Sequence, residues 1–106
     1  MVNSERRKAE TESTPRDIAE RTFEFAKSVV ALCRSVKRRD VAARVIVSQL
    51  VRAGTSVGAN IEEAQASHSR ADFANKCSIA CKEARETRYW LRLLRCSRRR
   101  LHIFAD

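Results

Sequence analysis

The sequence predicts an all-α fold, an up-and-down antiparallel helical bundle of three long helices with a fourth truncated or absent. Apolar residues recur at alternating three- and four-residue steps through three long segments, as they do along one face of a helix. Only 2 glycines and 1 proline occur in 106 residues, too few for the turns that a many-stranded sandwich or barrel requires. Hydrophobic residues make up 43% and charged residues 33% of the chain. That balance is too apolar for a disordered chain and ordinary for a folded one. At this length a single domain is expected.

Residues 1–13 show no apolar periodicity and read as a disordered arm. Order is expected from Thr14, which can cap. Pro15 suits the first helical position, where its missing N–H is not needed, and Asp17 completes a capping box. Ile18, Thr22, Phe25, Val29, Leu32 and Val36 then mark one helix face, widened by Phe23 and Val30. The basic run Lys37-Arg38-Arg39 closes this helix, because cations favour the negative helix end.

Asp40 caps a second helix whose stripe is Ala43, Val47, Leu50, Gly54, Val57, Ile61 and Ala64. Its oddity is the segment 53–60, where each glycine costs about 1 kcal/mol in a helix interior. The stripe runs through it without a phase slip, so continuous helix is predicted, with Gly54 and Gly58 letting a neighbouring helix come close. Ser69-Arg70-Ala71-Asp72 forms another capping box and opens a third helix. Its stripe is Phe73, Cys77, Ala80, Ala84, Thr87, Leu91 and Leu94. The bundle domain is placed at residues 14–96, with helices of roughly 23–28 residues spanning about 35–42 Å each. Residues 97–106 read as a basic tail or the stub of a fourth helix.

Several function classes find no support. The longest uncharged stretch, residues 53–61, is nine residues, against the ~20 of a membrane-spanning helix. The polar N-terminal stretch does not read as a secretory signal, so a cytoplasmic protein without membrane contact is expected. Cys33, Cys77, Cys81 and Cys96 form no Cys-x-x-Cys pair and read as small apolar residues kept reduced. A metal site would need further ligands, and the only histidines are His68 and His102. Glu62/Glu63 and Glu83/Glu86 are paired carboxylates, but a di-metal bundle needs Glu-x-x-His on two helices and the sequence has none. They read as ion-pair partners. Ser56 lacks nucleophile-elbow spacing, and phosphate-cradling glycine loops are absent. A non-enzyme with neither cofactor nor metal is expected.

Charge placement is more informative. The net charge of +9 divides into +3 over residues 1–66 and +6 over residues 67–106. Arg85, Arg88, Arg92, Arg95 and Arg99 recur at three- and four-residue steps, a stripe beside the apolar one. Such a stripe suits a nucleic-acid backbone, since each neutralised phosphate releases counterions. The alternative is a solvated face, or a ladder of salt bridges to Glu20, Glu24, Glu62 and Glu63 worth ~0–1 kcal/mol each. Tyr89 and Trp90 could offer a stacking face but read more readily as packing residues at a helix or subunit interface. Phe23 and Val30 lie beside the main stripe, so apolar surface is left that a small monomer does not bury. A cyclic homo-oligomer is expected, with Phe23 or Trp90 near an interface.

The blocks Asp17-Ile-Ala-Glu-Arg-Thr-Phe-Glu-Phe-Ala26, Arg52-Ala-Gly-Thr-Ser-Val-Gly-Ala-Asn-Ile-Glu-Glu-Ala64 and Lys82-Glu-Ala-Arg-Glu-Thr-Arg-Tyr-Trp-Leu-Arg-Leu-Leu94 occur in that order. Together they resemble the bacterial four-helix bundle proteins, first noticed as open reading frames inside intervening sequences of 23S ribosomal RNA genes. Gly54, Ser56, Gly58, Ala59, Asn60, Glu62, Glu63, Glu83, Glu86, Tyr89 and Trp90 fall on the family motif. The resemblance implies a cytosolic, non-enzymatic helical bundle. The chain also looks like a relative of the accessory variability protein of diversity-generating retroelements. That likeness implies a homopentameric ring with a basic surface, working with nucleic acid and a reverse transcriptase. The departure is C-terminal: the family continues into a fourth helix, whereas this chain ends ten residues after Cys96 in arginine-rich sequence. The expected function is non-specific binding of RNA or DNA by an oligomeric bundle. The alternative is a structural or protein-interaction oligomer with no nucleic-acid role.

Overall fold

The computed structural model describes residues 15–105, with side chains described for residues 17–97. It holds three helices, α1 (Pro15–Ser35), α2 (Val41–Gln65) and α3 (Arg70–Ala105), and no strand among the described residues. The expected disordered arm and the Thr14 cap lie outside them. Asp40 caps α2 in extended backbone conformation, φ −133° and ψ 174°, its carboxylate accepting from the Ala43 N–H at 2.7 Å. At the start of α3 the Ser69 hydroxyl accepts from the Asp72 N–H at 3.0 Å. The run Lys37-Arg38-Arg39 falls in the connection after α1.

α2 is continuous through residues 53–60, glycines included. The polar side chains of this segment fold back onto their own helix. The Thr55 hydroxyl donates to the Val51 carbonyl at 2.7 Å, Ser56 to Arg52 at 2.6 Å, and the Asn60 amide to Ser56 at 2.8 Å. Local hydrogen bonds that could have favoured a turn are therefore spent inside the helix.

The glycines sit where α1 comes closest. A Cβ at Gly54 would lie 2.8 Å from Val29 Cγ1, and one at Gly58 would lie 3.2 Å from the Thr22 carbonyl oxygen. The pairings run in opposite directions, Thr22 with Gly58, Val29 with Gly54 and Cys33 with Val47, so α1 and α2 are antiparallel. α3 returns along the other side of α2, Arg52 meeting Glu83 and Glu86 while Leu94 joins Ile46, Val47 and Leu50. Among the described residues the backbones of α1 and α3 make no close approach to each other. The result is a slab of 54 × 38 × 18 Å with α2 in the middle.

The core follows from this layout. Val29 and Cys33 of α1, Ile46, Val47 and Leu50 of α2 and Leu94 of α3 form one buried cluster. Burial pushes the Cys33 thiol pKa up, with Arg38 opposing more weakly, so the thiol stays protonated against Val47. Every buried side-chain nitrogen or oxygen among the described residues has a partner. Thr87, the one buried polar side chain among them, donates to the Glu83 carbonyl at 2.7 Å.

Two features differ from the sequence reading. α3 runs to Ala105 as one helix of 36 residues, past Cys96, where a separate tail or stub is expected. Nothing after Cys96 breaks a helix, since arginine and leucine favour it and neither glycine nor proline intervenes. The apolar stripes are also covered only in part. On α3, Ala80, Thr87 and Leu94 are buried, whereas Ala84 and Phe73 are exposed, and on α1 Ile18 and Phe25 remain 40% and 38% exposed. A helix packed against one neighbour covers a narrow strip, and residues at the flanks of a wide stripe stay wet.

Gly58→Leu would drive a side chain into the α1 backbone at Thr22, which cannot step aside as a flexible side chain could. A loss of on the order of 1–3 kcal/mol is expected, read as a lowered melting temperature. An unchanged melting temperature would contradict the close-packed crossing.

Candidate nucleic-acid interface

α3 divides its charged residues between two directions. At 3.6 residues per turn, positions 82, 85, 89, 92 and 96 fall on the face turned away from Ala80, Thr87 and Leu94, and positions 88 and 95 on its flank. Lys82, Arg85, Arg88, Tyr89, Arg92, Arg95 and Cys96 are all exposed there. From Arg85 to Arg95 the face runs about 15 Å along the axis. Arg99 lies in the same helix, but its side chain is outside the described residues.

Glu83 and Glu86 of α3 turn toward α2 instead. Arg52 of α2 bridges to Glu83 at 3.3 Å and pairs with Glu86, whose carboxylate also accepts from the Trp90 indole N–H at 3.3 Å. Glu83 is the most shielded of the three, its side chain 14% exposed. Both carboxylates are thereby occupied by a cation from another helix.

Consequently the exposed cations stay uncompensated. Among the described residues Lys82, Arg85, Arg88, Arg92 and Arg95 make no ion pair. The ladder to Glu20, Glu24, Glu62 and Glu63, one of the two alternatives to a nucleic-acid face, does not form within the chain among the described residues. Glu24 pairs with Lys27 at 3.3 Å in its own helix, while Glu20, Glu62 and Glu63 are exposed and make none.

The aromatic neighbours separate. Trp90 is half-buried and packs on the core cluster. Tyr89 is 56% exposed, its ring perpendicular to that of Trp90 at 5.1 Å between centroids. Phe23, also 56% exposed, lies across the molecule on α1. It lines a groove of about 560 Å³ between α1 and α2, together with Ala26, Val30, Gly58 and Ala59, with Lys27, Arg34 and Glu62 also on its walls. The Lys27 ammonium stands 6.0 Å from the Phe23 ring centroid, the edge of cation–π range.

Lys82 was missing from the sequence-derived stripe, although its place three residues before Arg85 could have revealed it. The role of Arg52 had no local signal, because its partners lie 31 and 34 residues away. Among the described residues no group of three or more metal-ligating side chains comes together, and no helix is long and apolar enough to cross a membrane.

An antiparallel all-α protein with a basic face along α3 is the class these features define. A sequence profile of the 23S rRNA-intervening sequence protein family matches residues 15–99, and the chain belongs to that family. It is also similar to a crystal structure of a protein with unknown function from the S23 ribosomal protein family of Bacteroides thetaiotaomicron VPI-5482. The two are 43% identical with a TM-score of 0.71, over 78% of this chain and 73% of that one. No curated protein sequence matches the chain.

Arg52 carries the charge division, so removing it should leave two acids without their cation. Arg52→Ala is expected to cost about 1 kcal/mol in urea unfolding, and a cycle with Glu86→Ala to show a coupling of roughly 0.5–1 kcal/mol. Additive effects would mean that the pair contributes nothing to holding α3 on α2.

Proposed function

We propose that this chain is a non-enzymatic protein that binds RNA or DNA through phosphate contacts along α3, without strong sequence preference. The observation that supports it is the row of exposed arginines at 85, 88, 92 and 95, unpaired while the nearby glutamates are engaged by Arg52. Uncompensated guanidinium groups repel one another in the free protein and gain most from a polyanion. Guanidinium also matches phosphate with paired donors. The family's description as intervening-sequence proteins of 23S rRNA agrees with RNA as the first ligand to try. Nothing on the face resembles a helix placed to read base edges in a groove, so affinity should come from the backbone.

Four neutralised phosphates give a logarithmic salt slope near −3 on single strands. Affinity would then fall on the order of 50-fold between 50 and 200 mM salt. Arg92→Glu with Arg95→Glu should remove most of the binding and leave stability within about 0.5 kcal/mol, since neither arginine has an internal partner to lose. Intact RNA affinity in the folded double variant would overturn the proposal. A lowered melting temperature or a broken assembly would favour the structural reading.

A homo-oligomer is the second part of the reading, and the exposed Phe23 beside an apolar groove supports it. Repeating the arginine face around a ring would add weak sites by avidity. The count of five rests on the resemblance alone. Native mass measurement should give a multiple of the chain mass, and Phe23→Lys should lower it. A wild-type monomer at micromolar concentration would remove the assembly from the proposal.

A further inference from the structure

Resting on the phosphate-binding reading, we infer that Tyr89 is a base-stacking platform for the unpaired bases of single-stranded nucleic acid bound along the α3 face. Tyr89 is the aromatic residue of the basic face, four residues after Arg85 and three before Arg92. On a helix these are its immediate neighbours. The residue is 56% exposed, where burial against the core would be the ordinary use of an aromatic side chain.

The ring also has an aromatic neighbour 5.1 Å away. Trp90 meets it perpendicularly at 87°, and in such a pair one ring can cover at most one face of the other. At least one face of Tyr89 is thus left uncovered by Trp90. Trp90 is itself tethered, its indole N–H donating to Glu86, which Arg52 holds from α2. The platform is therefore buttressed through three side chains to the central helix.

The surrounding charge selects the occupant. Arg85 and Arg92 flank the ring on the helix face, while the acids at 83 and 86 are turned to Arg52. A strand whose phosphates follow the arginines brings its bases within reach of the ring. Only an unpaired base can leave its neighbours to stack there, and the contact tolerates any base because every base has a π-face. Paired strands keep their bases stacked and offer the same face phosphates alone.

Fluorescence anisotropy with two labelled RNAs of equal length and charge tests this, one an unstructured mixed-sequence strand and the other its abasic counterpart. Wild-type protein should bind the base-bearing strand about tenfold more tightly at the same salt, within the range of one base–aromatic stack. Tyr89→Ala should erase that difference while keeping the salt slope, and Tyr89→Phe should preserve it. Arg92→Glu with Arg95→Glu should weaken both strands. Equal affinity of wild type for the two RNAs, with a steep salt slope, would overturn the platform and leave the phosphate reading standing. No binding to either would overturn both. A change in native mass on Tyr89→Ala would overturn the platform too, because it would make Tyr89 a contact between copies.

Discussion

Where α1 crosses α2, the missing side chains of Gly54 and Gly58 leave room for Val29 and for the Thr22 carbonyl. The rest of the structure depends on that approach. It sets the depth at which Val29 and Cys33 enter the layer between helices, and so which residues of α2 meet them. The cost is the helix propensity of two glycines, about 1 kcal/mol each. Close packing along the crossing offsets it, and the Thr55, Ser56 and Asn60 side chains close their hydrogen bonds within their own helix. A helix built this way shows small residues on one side and keeps its continuity.

With α1 seated so closely, α2 becomes the shared wall for both neighbours. α3 is held on its far side by Leu94, Thr87 and Ala80 at seven-residue intervals and by the Arg52 network at the edge. Seven residues are close to two helical turns, so the contact is a narrow seam. A narrow seam leaves most of α3 facing water. The arginines occupy that remainder, and the ion pairs to Arg52 remove the acids that would otherwise neutralise them. Charge separation across one helix is thus a by-product of how α3 is fastened.

Two surfaces of different chemistry result. The groove beside Phe23 is apolar and open, suited to burial against another protein surface. The face around Tyr89 is cationic with one aromatic ring, suited to a polyanion carrying flat bases. The groove lies between α1 and α2 and the basic face on α3, and among the described residues the backbones of α1 and α3 do not approach each other. Occupation of one face therefore need not block the other, as a phosphate-binding oligomer would require.

Local order in this chain was legible because it is decided within four residues. The Asp40 cap, the Ser69 cap, the helix through residues 53–60 and the arginine stripe each depend on hydrogen bonds or periodicity inside one segment. The glycines too could be read as a close approach, since small residues on an unbroken stripe have few other uses. What periodicity cannot say is which neighbour covers a face, or how much of it. Only the packing of three helices decided that Phe25, Phe73 and Ala84 stay outside. It alone placed Arg52 beside Glu83 and Glu86, partners 31 and 34 residues away. Helical spacing names the side on which a residue stands; the pairing that frees the arginines is a contact between helices, and it exists only once α2 lies between its neighbours.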